Sequence, residues 1–245
     1  MKILVIGDNC EDIFRYGKVE RIAPEAPIPI IIPEREEITS GMAGNVVRNL
    51  IALKNEVDFI TNIREIKKTR YIDSKYNYLL LRVDENDKCE RIDTNILNNI
   101  NFKKYDAVVI SDYDKGFLNE DDIKFILNSH PITFLDTKKT LGDWVNNIFI
   151  IKINYNEYEK NKNIIDNSKI IKSKIIITRG KYGCDYLGNN YPTKEVPVKD
   201  ISGAGDTFLA GLVTKYLKNK DIIKAINFAQ DCTTIVVQKL GVSTI

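Results

Sequence analysis

A run of small residues that ends in an acid lies in the last fifth of the sequence, at residues 202–206. Gly203, Ala204 and Gly205 have little or no side chain, so their backbone N–H groups can come close to an anion. A strongly amphipathic helical pattern begins directly after them, and its first turn adds unpaired donors and the positive end of a helix dipole. The run therefore predicts a phosphate-binding nest. It is not a Walker loop, because the sequence contains no GxxxxGK(S/T) run.

Asp206 closes this run, where a carboxylate repels the phosphate that the nest attracts. An acid that weakens binding in this place makes sense as a general base, which accepts the proton of an alcohol while a phosphoryl group is transferred to that alcohol. The alternative is an ordinary acidic residue in the first turn of a helix, which the helix dipole favours slightly. Both interpretations are open on the spacing alone.

The elements that must position this run alternate between strands and helices along the chain. Short, continuous apolar runs are typical of strands that are buried on both faces, as in a parallel sheet. These runs lie at residues 2–6, 57–60, 107–111, 132–135, 148–151 and 174–178. Helical patterns with one apolar face lie at residues 43–53, 120–127, 206–217 and 221–239. The alternation predicts a three-layer α/β/α sandwich around a mostly parallel central sheet.

Two regions, residues 14–34 and 68–84, break this alternation. Three prolines within residues 23–29 exclude a helix from the first region and favour extended edge structure. The second region is rich in β-forming residues that partly alternate with polar ones. We expect both to form a small β-sheet lid, or else a β-extension that serves only dimerisation, and the two interpretations are compatible. Because so small a sheet is marginally stable alone, we expect a homodimer that completes it.

Length, charge and cysteine content exclude several classes of partner. The 245 residues suit a single domain, which we take to span residues 1–245. Lys and Arg number 36 against 34 Asp and Glu, so the net charge of +2 gives no reason to expect a nucleic-acid partner. No apolar run approaches the roughly 20 residues of a membrane-spanning helix, so no membrane partner is expected. Four scattered cysteines without a CxxC pair argue against a zinc site and favour a reducing cytoplasm.

The Gly203–Asp206 run before a late helix is the signature of the PfkB/ribokinase family of sugar kinases, which this sequence resembles from Lys2 to Ile245. Five further segments match that family in order. They are residues 5–12 (first strand and substrate-binding turn), 41–45 (Gly-rich motif), 154–157 (NxxE), 178–180 (end of a nucleotide-binding strand) and 239–241 (base pocket). The resemblance implies a ribokinase-like fold and ATP-dependent transfer of the γ-phosphoryl group to a sugar hydroxyl.

Within this family, the sequence is similar to the kinase domain of bacterial bifunctional ADP-heptose synthesis proteins. The segments that carry this similarity include Arg21–Pro29, which reads RIAPEAPIP, and Ser111–Gly116, which reads SDYDKG. The implied acceptor is O1 of D-glycero-beta-D-manno-heptose 7-phosphate. Such proteins continue into a nucleotidyltransferase domain beyond the point where this sequence ends, so we expect a separate nucleotidyltransferase to act downstream.

The resemblance implies a role for each matching position. Asp206 is the expected base, and the amides of Gly203, Ala204 and Gly205 are expected to stabilise the charge on the transferred group. The positions expected to orient sugar hydroxyls are Asp8, Asn9, Asp12, Gly41 and Asn45. Those expected beside the sugar and its phosphate are Arg70, Asp112 and Lys115. ATP is expected along Asn154, Thr178, Gly180 and Gly241. Mg²⁺ is expected on Asn154 and Glu157 through water, and a monovalent cation near Asp200.

Structural interpretations of several of these positions stay open. Asp8 could cap a helix or form an Asx-turn, and Asn45 could be structural. Asn154 and Glu157 could form a solvated acidic turn.

Three features depart from the family pattern. Met42 stands where the family has a second glycine, Asp231 could repel a nucleotide, and residues 61–68 are too few for the βα unit that relatives have. Two alternatives to the heptose kinase follow from these departures. One is a kinase of another sugar or of a nucleoside, and the other is a sugar- or nucleotide-binding homologue without catalysis.

Overall fold

Twelve strands and seven helices make up most of the chain, and the computed structural model describes all of residues 1–245. The strands are β1 (Lys2–Gly7), β2 (Asn9–Ile22), β3 (Pro29–Met42), β4 (Glu56–Ile60), β5 (Lys67–Asp73), β6 (Leu79–Glu85), β7 (Ala107–Asp112), β8 (Thr133–Thr137), β9 (Ile150–Asn154), β10 (Ile175–Thr178), β11 (Cys184–Tyr186) and β12 (Asn189–Tyr191). The helices are α1 (Ala43–Ala52), α2 (Thr94–Asn98), α3 (Glu120–Ser129), α4 (Tyr155–Asn167), α5 (Lys169–Lys174), α6 (Ala204–Asn219) and α7 (Ile222–Val236). No helix combines the length and the apolar character needed to cross a membrane.

The central sheet has eight strands in the order β12-β11-β10-β9-β8-β7-β1-β4. The six strands from β10 to β4 run parallel, and β11 and β12 extend the sheet antiparallel. All six continuous apolar runs of the sequence overlap the parallel strands, and five of these strands are largely buried, whereas the edge strand β4 is half-buried. The predicted α/β architecture with a mostly parallel sheet is therefore confirmed.

Two hydrophobic cores lie on opposite faces of this sheet, because successive side chains of a strand point to opposite sides. In β1, Leu4 and Ile6 pack into one core, and Ile3 and Val5 pack into the other, all fully buried. The first core is covered by α3, α4 and α5, and the second by α1, α6 and α7. Burying each such aliphatic side chain contributes about 1.5–3 kcal/mol relative to leaving it exposed.

Strand β4 is the edge of the central sheet, because residues 61–68 are too few to form a further βα unit after it. Its Asp58 accepts a hydrogen bond from the Tyr105 hydroxyl at 2.7 Å. The same carboxylate pairs with Lys104 at 3.2 Å and with Lys2 at 3.8 Å. These contacts lower the pKa of Asp58, with the Tyr105 hydrogen bond as the largest cause. A polar cluster therefore lies beside this edge strand, and a six-residue link leads directly from β4 to β5.

The second sheet is small and separate, with the order β3-β2-β5-β6. Its strands reach further than the predicted segments 14–34 and 68–84, since β2 begins at Asn9 and β3 ends at Met42. The extension was not predicted because the run before Met42 is mostly charged and exposed, so it has no apolar pattern of a strand. Glu36 pairs with Arg15 at 2.6 Å, and Glu34 pairs with Lys18 at 3.2 Å.

The outer part of this small sheet exposes apolar side chains. They are Ile22, Ile28, Ile32, Ile38, Leu79, Leu81 and Val83. At its inner end, Asn9 pairs with Met42, directly after β1 and directly before α1. The small sheet therefore meets the central sheet at the edge where its parallel strands end.

Candidate active site

A cavity of about 330 Å³ lies at this edge, between the two sheets. Side chains of the small sheet line one side, and the loops after the parallel strands and the start of α6 line the other. The lining residues are Cys10, Asp12, Met42, Lys68, Arg70, Arg82, Tyr113, Lys115, Lys138, Ser202, Gly203, Asp206 and Val242. Ligands of open α/β sheets bind at this same edge, because the carboxyl ends of the strands converge there.

The predicted nest has the local geometry of an anion site. Gly203 is the N-cap of α6 with φ of 77° in the left-handed region, which favours glycine. No side chain caps the helix, and the amides of Gly205 and Asp206 have no acceptor within the chain. A Cβ on Gly203 would come within 2.5 Å of the Asn45 amide nitrogen, and one on Gly205 within 2.9 Å of the Lys152 ammonium. The helix begins at Ala204 rather than at Asp206 as predicted, so the nest is its first turn.

Asp206 is 4% exposed and borders the cavity. Its Oδ1 accepts a hydrogen bond from the Tyr113 hydroxyl at 2.7 Å, and its Oδ2 accepts one from the Asn45 amide at 3.0 Å. Burial raises the pKa of this carboxyl to about 6, although both hydrogen bonds act in the opposite direction. A carboxylate with a pKa near neutrality is suited to accept a proton and release it again.

A buried ion pair lies beside the nest. Lys152 in β9 donates to Asp136 Oδ2 in β8 at 2.5 Å, and each residue is 3% exposed. The second oxygen of Asp136 is buried and has no hydrogen-bond partner. An ammonium is disfavoured at the positive end of a helix, and a buried pair costs desolvation, so packing alone does not explain this arrangement. It adds positive charge where a phosphate would lie.

The small sheet supplies most of the charge on the opposite side of the cavity. Five of the lining side chains are cationic, and their carboxylate partners include Asp84 and Asp87, which lie outside the lining. Asp84 holds Arg82 through two bonds of 2.6 and 2.7 Å, and this contact is the main cause that lowers the pKa of Asp84 to about 2. Asp87 accepts from Lys68 at 3.1 Å and from Lys115 at 2.7 Å.

Asp12 and Gly41 meet at the floor of this cationic side. Asp12 is 5% exposed and pairs with Arg70 at 2.5 Å. A Cβ on Gly41 would lie 2.0 Å from Asp12 Oδ2, so only glycine leaves room for the carboxylate. The structure therefore brings Asp12, Gly41, Arg70 and Lys115 together, as the sequence predicted, although their contacts with a sugar stay predictions.

Met42 occupies the family's second glycine position with φ of 52° and ψ of −130°. This backbone conformation is strained for any residue with a Cβ. Its side chain is buried against Cys10 and Ile66 and borders the cavity. The sequence predicted that a side chain would intrude here, and the structure places it at the cavity, on a backbone with positive φ.

Besides Gly41, four of the predicted substrate-binding residues do not line the cavity. Asn45 is fully buried and binds Asp206, and Asn9 is held through its backbone by Asn62 at 2.7 and 3.2 Å. Asp8 is fully buried and accepts the amides of Tyr113 at 2.6 Å and Phe117 at 3.4 Å. Asp112 is 1% exposed and pairs with Lys139 at 3.1 Å. Burial raises the pKa of both Asp8 and Asp112. None of these four residues is part of the cavity lining in this structure, and their sugar-binding roles stay predictions.

The predicted nucleotide and metal residues lie along the ends of β9 and β10. Asn154 and Glu157 form a reciprocal capping box at the start of α4, with bonds of 2.9 and 2.8 Å. Glu157 is 7% exposed and also contacts the Lys138 ammonium, so these residues are not a solvated turn. Thr178 ends β10 and Gly180 follows it with φ of 56°.

The C-terminal segment closes on the nest. Asp200 accepts the amide of Ser202 at 2.8 Å and that of Gly241 at 3.1 Å, which ties residues before the nest to the predicted base pocket. Asp231, which the sequence suggested could repel a nucleotide, is exposed and pairs with the Lys194 ammonium at 2.8 Å.

Sequence reasoning missed several residues of this site. They are Lys68, Arg82, Tyr113, Asp136, Lys138 and Lys152. For Lys152 a signal existed, because a lysine inside the apolar run of a buried strand is unusual. Tyr113 lies within the SDYDKG run, whose similarity was noted without assigning its tyrosine.

Comparison with known proteins decides the family. The profile of pfkB family carbohydrate kinases matches residues 82–245. The chain belongs to this family. The predicted family and phosphotransferase class are thereby confirmed.

Relatives and solved structures agree with this assignment. The chain is 31% identical to the bifunctional protein HldE of Nitratiruptor sp. over 99% of its own length and 63% of that protein. It is 28% identical to HldE of Helicobacter pylori strain J99, over 98% of the chain and 63% of the relative. It therefore spans less than two thirds of these relatives. Ribokinase of Thermotoga maritima superposes with a TM-score of 0.73 at 13% identity, covering 98% of this chain and 94% of the ribokinase. Arabidopsis thaliana ribokinase complexed with ribose and ATP gives 0.68 at 13% identity, covering 98% and 93%.

Proposed function

We propose that this carbohydrate kinase transfers the γ-phosphoryl group of ATP to a hydroxyl of a phosphorylated sugar, most specifically O1 of D-glycero-beta-D-manno-heptose 7-phosphate. One observation carries the proposal. Asp206, with its pKa raised to about 6, lies between an uncapped amide nest and a cavity wall rich in cations. The nest suits the transferred phosphoryl group, and the cationic wall suits a second anionic group on the acceptor.

The chemistry follows from these positions. Asp206 accepts the proton as the sugar O–H bond breaks and the new O–P bond forms, while the bond from the γ-phosphorus to its bridging oxygen breaks. The amides of Gly205 and Asp206 stabilise the charge on the phosphoryl oxygens. Lys152 adds a fixed positive charge beside them. The proton then leaves Asp206 for solvent, which a pKa near neutrality permits.

The charge of the cavity supports a phosphorylated acceptor. Its lining has five cations, Lys68, Arg70, Arg82, Lys115 and Lys138, against two carboxylates, Asp12 and Asp206. Arg70 and Arg82 are direct cross-strand partners in β5 and β6. Each arginine already has a carboxylate partner in the chain, Asp12 for Arg70 and Asp84 for Arg82, which offsets the repulsion between the two like charges. The remaining donors of both guanidinium groups are suited to bind the phosphate of a sugar phosphate.

The donor set near β9 fits Mg²⁺ held largely by water and nucleotide phosphates. Glu157 supplies a hard carboxylate oxygen and Asn154 an amide oxygen, which are ligand types that suit Mg²⁺. In this proposal Asn154 and Glu157 hold the ion through water. When bound, it would neutralise phosphate charge on ATP. Both oxygens of Asp200 already accept hydrogen bonds from backbone amides. We propose that a monovalent cation also binds near Asp200, in addition to Mg²⁺.

The heptose is supported by similarity rather than by geometry. The relatives named HldE are bifunctional proteins. The RIAPEAPIP and SDYDKG runs resemble those of ADP-heptose synthesis kinases. We further propose that the chain acts as one kinase domain in the cytoplasm, that residues 14–34 and 68–84 form its lid, and that the exposed apolar face of the lid pairs two subunits. A nucleotidyltransferase would then use the product.

A substrate panel tests the proposal. ADP release is measured with MgATP and heptose 7-phosphate, sedoheptulose 7-phosphate or fructose 6-phosphate, each beside its unphosphorylated counterpart, and with adenosine. We expect turnover with heptose 7-phosphate, none without Mg²⁺ and none in Asp206→Asn. Turnover confined to unphosphorylated sugars or adenosine contradicts the phosphosugar assignment. A raised melting temperature without any ADP release would instead identify a binding homologue.

A further inference from the structure

Tyr113 is the one residue that touches the proposed base and was assigned no role by its position in the sequence. Its hydroxyl donates to Asp206 Oδ1 at 2.7 Å across 93 positions of the chain. The opposite oxygen is held by Asn45 at 3.0 Å. Each carboxylate oxygen can accept more than one hydrogen bond, so a donor remains possible on the side of Asp206 that faces the cavity.

The tyrosine is itself held on three sides. Its backbone amide donates to the fully buried Asp8 at 2.6 Å, and its ring packs against the cluster of Cys10, Met42 and Ile66. The Lys138 ammonium lies 5.2 Å from the ring centroid. A ring fixed in this way places its hydroxyl in one position, so the hydrogen bond restricts how the carboxylate can rotate.

We propose that Tyr113 is a positioning residue for the general base, Asp206. The Tyr113 hydroxyl holds the Asp206 carboxylate in the orientation in which it accepts the proton of the acceptor alcohol. The proposal rests on the proposed function for its consequence in catalysis. In this proposal Asp8 supports Tyr113 in turn, because its carboxylate accepts the backbone amide of Tyr113.

The contact also affects the charge of the base. The Tyr113 hydrogen bond is the largest of the contributions that lower the pKa of Asp206, against burial, which raises it. The other ionisable groups that face Asp206 are Asp136 from β8, Lys152 from β9, Lys138 from the loop after β8 and Cys10 from β2. None of them makes a hydrogen bond to the carboxylate. Removing the Tyr113 hydroxyl therefore makes Asp206 a weaker acid, and protonated base accumulates at a higher pH.

The test compares two phenols that each donate to an aspartate at 2.7 Å. Tyr113→Phe removes the bond to Asp206, and Tyr105→Phe removes the bond to Asp58 at the far edge of the sheet. The pH dependence of kcat/KM is measured with MgATP and heptose 7-phosphate. In Tyr113→Phe we expect the acid limb to move to higher pH, so that activity at pH 6 falls about tenfold more than activity at pH 8.5. Tyr105→Phe keeps the wild-type profile.

A second measurement needs no turnover. With ¹³C-labelled aspartate carboxyls, the Asp206 signal is assigned by its loss in Asp206→Asn and titrated in the wild type and in Tyr113→Phe. Site-specific 3,5-difluorotyrosine at position 113, a more acidic donor, is expected to move the midpoint to lower pH, opposite to Phe. Unchanged midpoints in both replacements overturn the proposal. Shifted midpoints in a protein without kinase activity leave the positioning contact standing and reject the proposed function.

Discussion

The two ends of the central sheet each border a cavity, and the two cavities differ in the number of charged residues that line them. At the amino ends of β8, β9 and β10, a cavity of about 770 Å³ is bordered by thirteen residues, of which only Lys174 and Lys220 carry charge. At the carboxyl ends, the cavity of about 330 Å³ is bordered by the same number of residues, and seven of them are charged. The larger space is lined mainly by the ends of helices and by apolar side chains.

This difference locates the chemistry by buried charge rather than by volume. Desolvating an ion costs several kcal/mol before any partner offsets it. The carboxyl end nevertheless keeps Asp8, Asp112, Asp136, Lys152 and Asp206 at 4% exposure or less. Groups held at such a cost are concentrated where a protein binds or transforms a ligand. Substitutions at the two ends should therefore have very different consequences.

The largest difference is expected for the base. Asp206→Asn keeps the shape of the side chain but removes its ability to accept a proton, so kcat should fall by about 10²- to 10⁴-fold. At the opposite end, Lys174→Gln removes one of the two charges of the larger cavity and should leave kcat unchanged. Steady-state ADP release with heptose 7-phosphate measures both, and melting temperatures establish that both variants fold. Full activity in Asp206→Asn would reverse the comparison.

The next largest effect concerns the cationic wall. Arg82→Ala should raise KM for heptose 7-phosphate by about 10- to 100-fold, because a hydrogen bond to a charged group is lost. KM for ATP should change little. Arg35→Ala is the matched control, since Arg35 belongs to the same small sheet but lies outside the cavity lining. An equal rise in KM in both variants would show that the effect comes from the sheet and not from the cavity.

Much of the site at the carboxyl end of the sheet could be predicted from the sequence, because the motifs that form it are short and continuous in the chain. Gly203 to Asp206 are consecutive, and the steric need for small residues and the helix that follows are visible in one segment. The parallel strands were found because burial on both faces leaves a continuous apolar run. The phosphotransferase class followed from these segments together with the resemblance they carry.

The supporting contacts could not be predicted, because they join distant parts of the chain. Asn45 and Asp206 are 161 positions apart, and only the fold shows that the Asn45 amide reaches the base. Asp8 follows a buried strand, which is equally compatible with binding a ligand or holding a loop, and only the fold shows that it accepts a hydrogen bond from the Tyr113 amide. The extension of β3 to Met42 was missed because its residues are mostly charged and exposed, so the sequence has no apolar run there.

The pH dependence sharpens the comparison further. Burial raises the pKa of Asp206 to about 6, and the base works only when ionised. Activity should therefore be constant above about pH 7 and fall about tenfold per pH unit well below pH 6. The log of kcat/KM against pH gives the midpoint directly. A midpoint near the ordinary carboxyl value of about 4 would mean that Asp206 is solvated in the free enzyme.

The smallest expected effect compares backbone strain at the two ends. Both cavities are bordered by a non-glycine residue with positive φ, Met42 at 52° and Lys220 at 54°. Lys220 has ψ of 28° and is an ordinary left-handed helix C-cap, whereas Met42 has ψ of −130°, a conformation that only glycine adopts readily.

Substitution pairs separate strain from packing at these two positions. Alanine and glycine both remove the side chain, so the difference between Met42→Gly and Met42→Ala reports mainly the backbone. Glycine is expected to be more stable than alanine by about 2 kcal/mol at position 42 and by about 1 kcal/mol at position 220. Urea unfolding of the four variants gives both differences. If the difference in unfolding free energy between the glycine and alanine variants is the same at positions 42 and 220, the backbone at Met42 has no extra strain. A larger difference at position 42 would show that Met42 holds a backbone conformation that favours glycine, at a cost in stability.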